Sequence, residues 1–584
     1  MAFNKYFQDE LSFLREMGQE FSVRHPKLSR YLSETSDDPD VERLLEGFAF
    51  LTGRLREKLE DELPELSHSL ITLLWPHYLR PVPSMTIMEF TPVDNALSET
   101  TVIPRGTKIA GPNQDGTRCL FQTCYDVPIA PVTLTGAEVI STRAQSILQL
   151  SFSSQGSGLG TLGLDRLRVH LAGEIHITYS IYLWLMRYLE TVEVIVGERR
   201  HRLPVSHVRP VGFDQDEGLL PYPPNAFNGY RILQEYFGLP EKFLFFDVEG
   251  LGDILAKSAE TATSVTLSFA FNRTLDPHVR LREHHFRLFC TPAVNLFPHD
   301  ADPIRLDRRR VEYRVRPSGR RQDHYALYSI DSVEGWVPDG GGVRRYPPFE
   351  SFEHRIERKA RSEDAYYRLR IRQSVAGTGM DHFLSFVNGG DMAVLPASET
   401  ISMALTCCNG HLSSALRVGD LSHATGDSPP FASYRNITKP TSFIIPPMDS
   451  RLHWQLISNM SLNYLSLTDV EPLRTILSAY DFKALTDRQA ERAARNRLEA
   501  IDKVNAVPLD LLHAGLPVRG LRTSMTLSES RFAGEGDMYL FATVLAEFLA
   551  LYASINSFHE LVVTGAETGE TYRWPAKVGQ QPVL

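Results

Sequence analysis

Cysteine is scarce in this chain. Its five residues, Cys119, Cys124, Cys290, Cys407 and Cys408, are scattered over 584 positions. An odd, irregular set makes no disulfide framework and suits a reducing compartment. Basic charge is also in short supply: 61 Lys and Arg against 71 Asp and Glu leave a formal net charge of −10, which argues against a surface given over to a nucleic-acid backbone. The start, Met1-Ala2-Phe3-Asn4-Lys5-Tyr6-Phe7-Gln8-Asp9-Glu10, lacks the basic region and apolar run of a secretory signal, so a cytoplasmic chain is expected. The one stretch that tempts a membrane reading, Met538 to Ile555, contains Glu547, and a charge at mid-helix costs roughly 3 kcal/mol on insertion. A buried or interface helix is the expectation there.

Catalytic signatures are missing as well. Gly-x-Ser-x-Gly, His-Glu-x-x-His and a paired-carboxylate arrangement are all absent, so no triad can be nominated, and the chain is expected to be no enzyme. Gly158-Leu159-Gly160-Thr161-Leu162-Gly163 fits G-x-G-x-x-G, but a phosphate cradle needs its last glycine to open a helix. The following Arg166 to Leu171 alternates as a strand, so a flexible loop is favoured. Cys119-x4-Cys124 and Cys407-Cys408, with His411 and His423 nearby, do not offer four metal ligands at a known spacing; buried structural cysteine is the plainer reading. His284-His285 sits among Arg280, Arg282, Glu283 and Arg287, read as a solvated face or a contact to an acidic partner. Two arginine concentrations, Arg305-Leu306-Asp307-Arg308-Arg309-Arg310 and Asp487 to Arg497, lack the interleaved aromatics of a nucleic-acid surface; the second reads as a charged helix face. No cofactor, metal or catalytic residue is expected.

What the chain has is ordinary globular composition, 42% hydrophobic and 23% charged, over a length that calls for three or four domains. Phe7, Leu11, Leu14, Met17 and Phe21 recur at helical spacing until His25-Pro26. A second helix begins at Asp38-Pro39, with Asp38 able to cap and Pro39 suited to the first turn. Leu44, Phe48, Leu51, Leu55 and Leu59 form an apolar stripe along it, opposite Glu42, Arg43, Glu46, Arg54, Glu57, Lys58 and Asp61. Pro64 is expected to end or kink that helix, Glu65 to Trp75 to make a third, and Pro76, Pro81 and Pro83 to enforce an extended exit. From Met85 the chain becomes β-rich, with strands read at 85–90, 107–110, 120–123, 132–135, 166–171, 263–271, 286–290, 311–315, 325–330, 366–372 and 382–387. Helices are read at 179–190, 454–465, 486–500 and 536–556. The fold class is α+β multidomain: a helical N-terminal region (1–84), β-rich domains (85–215 and 216–445) and a mixed α/β C-terminal domain (446–584).

The sequence Phe13-Leu14-Arg15-Glu16, then Asp38 to Leu51, then Pro76-His77-Tyr78-Leu79-Arg80-Pro81 resembles the N-terminus of the TssF family, baseplate subunits of the type VI secretion system. Trp454 to Leu467 and Val544 to Phe558 agree with it near the other end. Ile103-Pro104-Arg105-Gly106-Thr107 followed by Phe121-Gln122-Thr123 also resembles a hairpin region of phage baseplate wedge proteins. The resemblance implies a mechanical role: pairing with TssG as two TssF copies per TssG, joined by TssK to the membrane complex, ringing the VgrG spike with TssE, and providing the platform for the TssB/TssC sheath. It implies a location at the cytoplasmic face of the inner membrane of a Gram-negative bacterium. Phe7, Leu11, Leu14, Met17, Leu44, Phe48, Leu51 and Leu55 are the candidate partner face, with internal core as the competing reading. A wedge protein of a phage tail or other contractile injection system is the alternative, and a hydrolase a more distant one.

Overall fold

The computed structural model describes all residues except 1–6, 9, 16, 18–38, 143–144, 157, 223–227, 259–261, 277–278, 308–309, 337–341, 350–364, 375–378, 389–398, 449–452, 455–456, 458–468, 514–515, 554–556 and 580–584. The fold is mixed α and β, with many sheets and a minority of helix. The chain divides into two compact units, Met1–Trp75 with Met448–Ile457, and Pro76–Pro447 with Ser458–Leu584.

The first unit is built on one helix of 36 residues, Pro39–Leu74. The division expected at Pro64 does not occur. A proline removes one N–H and crowds the carbonyl four residues back, but the ladder before and after it is long enough to keep the segment one helix. The described residues of 7–17 are helical too. Asp38, the expected cap, and His25-Pro26, the expected end of the first helix, lie outside the described residues. Within this unit His68 and His453 meet edge-on, ring centroids 4.9 Å apart.

The second unit opens with a strand that sits in the middle of its sheet. Met85–Pro92 pairs antiparallel with Cys290–Val294 on one side and Ala432–Asn436 on the other. Lys108–Gln114 and Thr117–Thr123 complete that sheet. The two threonines of the wedge-like motif have a physical use here, since the Thr107 and Thr123 hydroxyls both donate to the Pro104 carbonyl, at 2.7 and 3.0 Å. Gly106 makes the turn at φ +85, a conformation that favours glycine. Glu89 is buried on the central strand and accepts from Arg287 and Arg435, each at 3.2 Å, so it ties three strands.

A second sheet orders Arg199–Leu203, Leu189–Val196, Ser264–Phe271, Ser146–Ser154 and Val132–Ser141. The helix expected over 179–190 lies earlier, at Ile175–Leu183, passes through a π-helical turn at Trp184–Tyr188 and gives way to strand at Leu189. Pairing of Leu189–Val196 with two neighbours wins over the local helical pattern. Another sheet orders Phe297–Asp300, Glu399–Cys408, Ala326–Trp336 and Val343–Arg345, with Ile304–Leu306 also paired to Glu399–Cys408.

The C-terminal sheet begins with a long hairpin, Ile501–His513 and Leu516–Leu527. Phe558–Gly565 pairs parallel to the second of these strands, and the crossover that parallel pairing requires is the helix Glu535–Tyr552. Met538, Leu540, Val544, Leu545 and Phe548 are buried on that helix, and Glu547 pairs with Lys577. Among the described residues no helix is long and apolar enough to cross a membrane. Of the helix expected over 454–465, only 454 and 457 are described, both helical.

Candidate functional site

On the long helix, Ala49 and Gly53 are buried while Leu45 and Thr52 are half-buried. At 100° per residue these four share one side. Leu44, Phe48 and Leu51 lie on another arc and are 73%, 58% and 61% exposed. Over residues 44–53 the helix therefore buries its small residues and turns Leu44, Phe48 and Leu51 to solvent. That is the reverse of the usual amphipathic arrangement, in which the apolar stripe faces the core. Leu55 continues the outward arc by spacing, although its side chain lies outside the described residues. On the preceding segment Phe7, Leu11 and Leu14 are half-buried and Met17 is exposed.

The chemical candidates resolve differently. His285 is buried, accepts the Arg282 backbone N–H on Nδ1 at 2.9 Å and faces a Glu174 carboxylate oxygen with Nε2 at 2.9 Å. With Nδ1 accepting, the neutral ring carries its proton on Nε2 and donates it to Glu174. That hydrogen bond from His285 is the main cause holding the Glu174 carboxyl below its usual range. His284 completes a group whose ligand atoms lie within 4.8 Å of one another. The group does not fit a metal, because the His285 nitrogen aimed at the shared point is the protonated one and its lone pair is unavailable.

The five cysteines are all buried and unpaired with one another. Burial pushes the Cys119, Cys124 and Cys408 thiols up to about 12, and Cys407 and Cys290 also upward. At all five the cause is desolvation, which disfavours the thiolate. The Gly158–Gly163 loop makes one 3-10 turn, Leu159–Thr161, and runs into the strand Arg166–Leu171 without opening a helix. Gly163 borders a cavity of about 210 Å³ with Asp126, Arg166, Arg168 and Phe289. Its best-placed cation is already engaged: Arg168 binds both oxygens of Asp247 at 2.8 Å and Glu217 at 3.1 Å.

The arginine-rich helix is Arg488–Glu499, capped by the Asp487 carboxylate, which accepts from the Gln489 N–H at 2.8 Å. Arg495 pairs with Glu491 at 2.9 Å, and Arg497 lies over the Tyr236 ring at 5.7 Å, so this is a charged face with one arginine drawn inward. Two features escaped sequence reasoning. Lys242 and Glu235 form a fully buried ion pair, with Glu235 also accepting the Leu219 and Leu220 N–H groups; the residues are common and seven apart, and only the hydrophobic company of Tyr236, Phe237 and Phe243 hinted at burial. Trp336 is the other: it stands exposed at a strand end, where its residue type alone would argue for burial.

Comparison with known proteins bears on the whole chain. Residues 1–581 match the family model described as type VI secretion system, TssF. The chain is 33% identical over 634 aligned positions to the type VI secretion system component TssF1 of Pseudomonas aeruginosa PAO1, covering 99% of both chains. It superposes with a TM-score of 0.76, at 29% identity, on a chain of the type VI secretion system TssK-TssF-TssG baseplate subcomplex, covering 92% of this chain and 99% of that one. A chain of the baseplate complex from the type VI secretion system gives a TM-score of 0.63 at 25% identity, with both chains fully covered. The chain belongs to the TssF family of the type VI secretion system.

Proposed function

We propose that the chain is a structural subunit of the type VI secretion baseplate that joins homologues of TssG and TssK in one wedge, and that it has no chemistry to perform. The observation that carries the reading is the outward arc of Leu44, Phe48 and Leu51, because a helix presenting large apolar side chains to water at i, i+4 and i+7 is the form a helix takes when another chain's helices complete the bundle. Phe7, Leu11, Leu14, Met17 and Leu55 extend the same contact. The family membership supports TssG as the occupant, with two copies of this chain per TssG. It also supports a place around the VgrG spike with TssE, at the cytoplasmic face of the inner membrane, from which the TssB/TssC sheath grows.

The test is co-expression with the cognate TssG. Leu44→Asp, Phe48→Asp and Leu51→Asp together are expected to abolish co-purification while the variant remains a folded monomer, since all three side chains are already exposed. Retained co-purification overturns the contact, and an aggregated variant assigns the stripe to internal core. Native mass of the wild-type complex is expected to give two of these chains per TssG.

A further inference from the structure

The C-terminal sheet orders Ile501–His513, Leu516–Leu527, Phe558–Gly565 and Thr571–Val578. The helix Glu535–Tyr552 covers one face of it, where Trp574 Nε1 donates to Thr543 Oγ1 at 3.1 Å and Lys577 pairs with Glu547. Lys577 stands opposite His559, and His559 opposite Leu521. Residues directly opposite one another share a face, so Leu521, Thr523, Met525 and Leu527 are on the helix side, and all four are buried. On the open side Lys503, Asn505 and Ser524 are exposed.

Phe558–Gly565 runs beside Leu521–Leu527 alone, and the hairpin continues past it for five more pairs, Leu509 with Gly520 to His513 with Leu516, as a two-stranded ribbon. Along the ribbon the polarity inverts. Pro508, and Asp510 opposite Arg519, are exposed on the side that the helix covers further back. Val507, Leu509 and Leu511, with Val518 opposite Leu511, take the open side. Val507 is 51% and Leu511 37% exposed. Phe558 lies over Gly520, where a Cβ would collide with it, and it pairs with Val578, itself 49% exposed. Apolar surface therefore runs across all four strands.

A two-stranded ribbon is marginal in water without a further layer, and the chemistry of this one selects what covers it. Another strand is disfavoured, because both edge strands of the sheet carry a proline, Pro508 and Pro575. A helix suits the flat open face as Glu535–Tyr552 suits the other. At the Val507 end, Arg522 and Arg573 share the one carboxylate of Glu560, at 2.5 and 2.8 Å, which leaves a positive charge in excess. Asp502, Glu529 and Glu567 gather with Lys503 toward the far end of the sheet, where Asp502 accepts from Ser528 and Glu567 from the Glu529 N–H. A second copy packed face to face about a twofold would lay these arginines over residues 511–518, which include no acidic residue. A lipid surface would want the ribbon apolar on both sides, and Asp510 and Arg519 occupy one of them.

We propose that the open side of the ribbon seats an amphipathic helix of a different protein of the secretion assembly. The apolar stripe of that helix lies on Val507, Leu509, Leu511 and Val518, and an Asp or Glu at one end meets Arg522 and Arg573. Val507 to Leu511 spans about 13 Å, the length of a helix of about nine residues. The choice of partner rests on the baseplate reading, but the contact is separate from the helix face assigned to TssG, since it lies in the other compact unit.

The test places the photoreactive amino acid p-benzoylphenylalanine at position 511 of the full chain, in cells that carry the complete secretion cluster, and identifies the cross-linked peptide by mass spectrometry. The expected product is a segment of another protein of the cluster with apolar residues at i, i+3, i+4 and i+7 and an Asp or Glu at one end. Val507→Asp is expected to reduce that product about thirty-fold, the change that corresponds to a hot-spot truncation of about 2 kcal/mol. Arg573→Glu is expected to reduce it as well, and reversing the partner's acidic residue to Arg to restore it. Asp510→Ala, on the other side of the ribbon, is expected to leave it unchanged. All these variants are expected to keep the wild-type melting temperature and to co-purify normally with TssG, which separates failure here from failure of the wedge reading. No cross-link, a cross-link only to lipid or to a second copy of this chain, a peptide without that pattern, or a product indifferent to Val507→Asp would overturn the proposal.

Discussion

Buried histidines set an acid-labile window. Burial holds the His170 ring down to about 3 and the His559 ring to about 4, whereas an unfolded histidine titrates near 6.5. Because the folded values are lowered, the unfolded chain binds more protons at any pH below about 6.5. Stability is therefore fully present above that pH and falls as acid is added, down to the folded values. His559 is a clean reporter, since its Nε2 meets the Thr523 hydroxyl at 2.9 Å and desolvation is the one cause of its shift. We expect His559→Gln to lower the slope of unfolding free energy between pH 6 and 4.5 by up to about 1.4 kcal/mol per pH unit relative to the unsubstituted chain. Denaturant titrations of both proteins across that range check it, and equal slopes would refute it. At this scale the sequence was informative about the cysteines, which read as buried and prove so, while the exposure of Trp336 and the burial of Lys242 were opaque because they depend on how the folded elements pack.

Elements were legible where their signal is local. The strands at 85–92, 166–171 and 264–271 and the helix Arg488–Glu499 follow from alternation or from a cap. The helical period of the N-terminal stripe was equally plain, but periodicity does not say whether an apolar face meets its own domain or water, and here Ala49 and Gly53 take the inside. The hairpin of Ile501–His513 and Leu516–Leu527 carries a weaker local signal, since Leu509-Asp510-Leu511-Leu512 suits a helix as well as a strand. Pro64 is the sharpest mismatch between local rule and element. Its helix is uninterrupted despite the lost N–H, so the proline is a standing cost that the rest of the segment offsets. We expect Pro64→Ala to raise the thermal stability of the first unit, by at most about 3 kcal/mol. Calorimetry of the full chain checks this; a lower melting temperature would mean that the proline ring itself fixes the course of the helix.

At the scale of the whole molecule the sequence offers least, because long-range pairing leaves no mark on a single chain. Met85–Pro92 is held between partners roughly two hundred and three hundred and fifty residues away, and Glu89 adds Arg287 and Arg435 to the same knot. The Thr86 hydroxyl donates to the Thr438 carbonyl at 2.8 Å, and the Ser84 and Ser413 hydroxyls meet at 2.6 Å. Such a sheet cannot close until the segment around 413–444 has been made, so closure of this sheet is expected to be late and slow, as long-range pairing implies. It follows that a chain ending before Ala432 leaves one edge of the first strand open, with Phe90 and Ile87 nearby to nucleate aggregation. We expect residues 1–430 to be insoluble, or to melt without a cooperative transition. The same chain is expected to recover a cooperative melt when residues 431–584 are co-expressed as a second polypeptide. A truncated chain that is soluble and melts in a single sharp step on its own would show that the Ala432–Asn436 strand is an accessory to a sheet already complete without it.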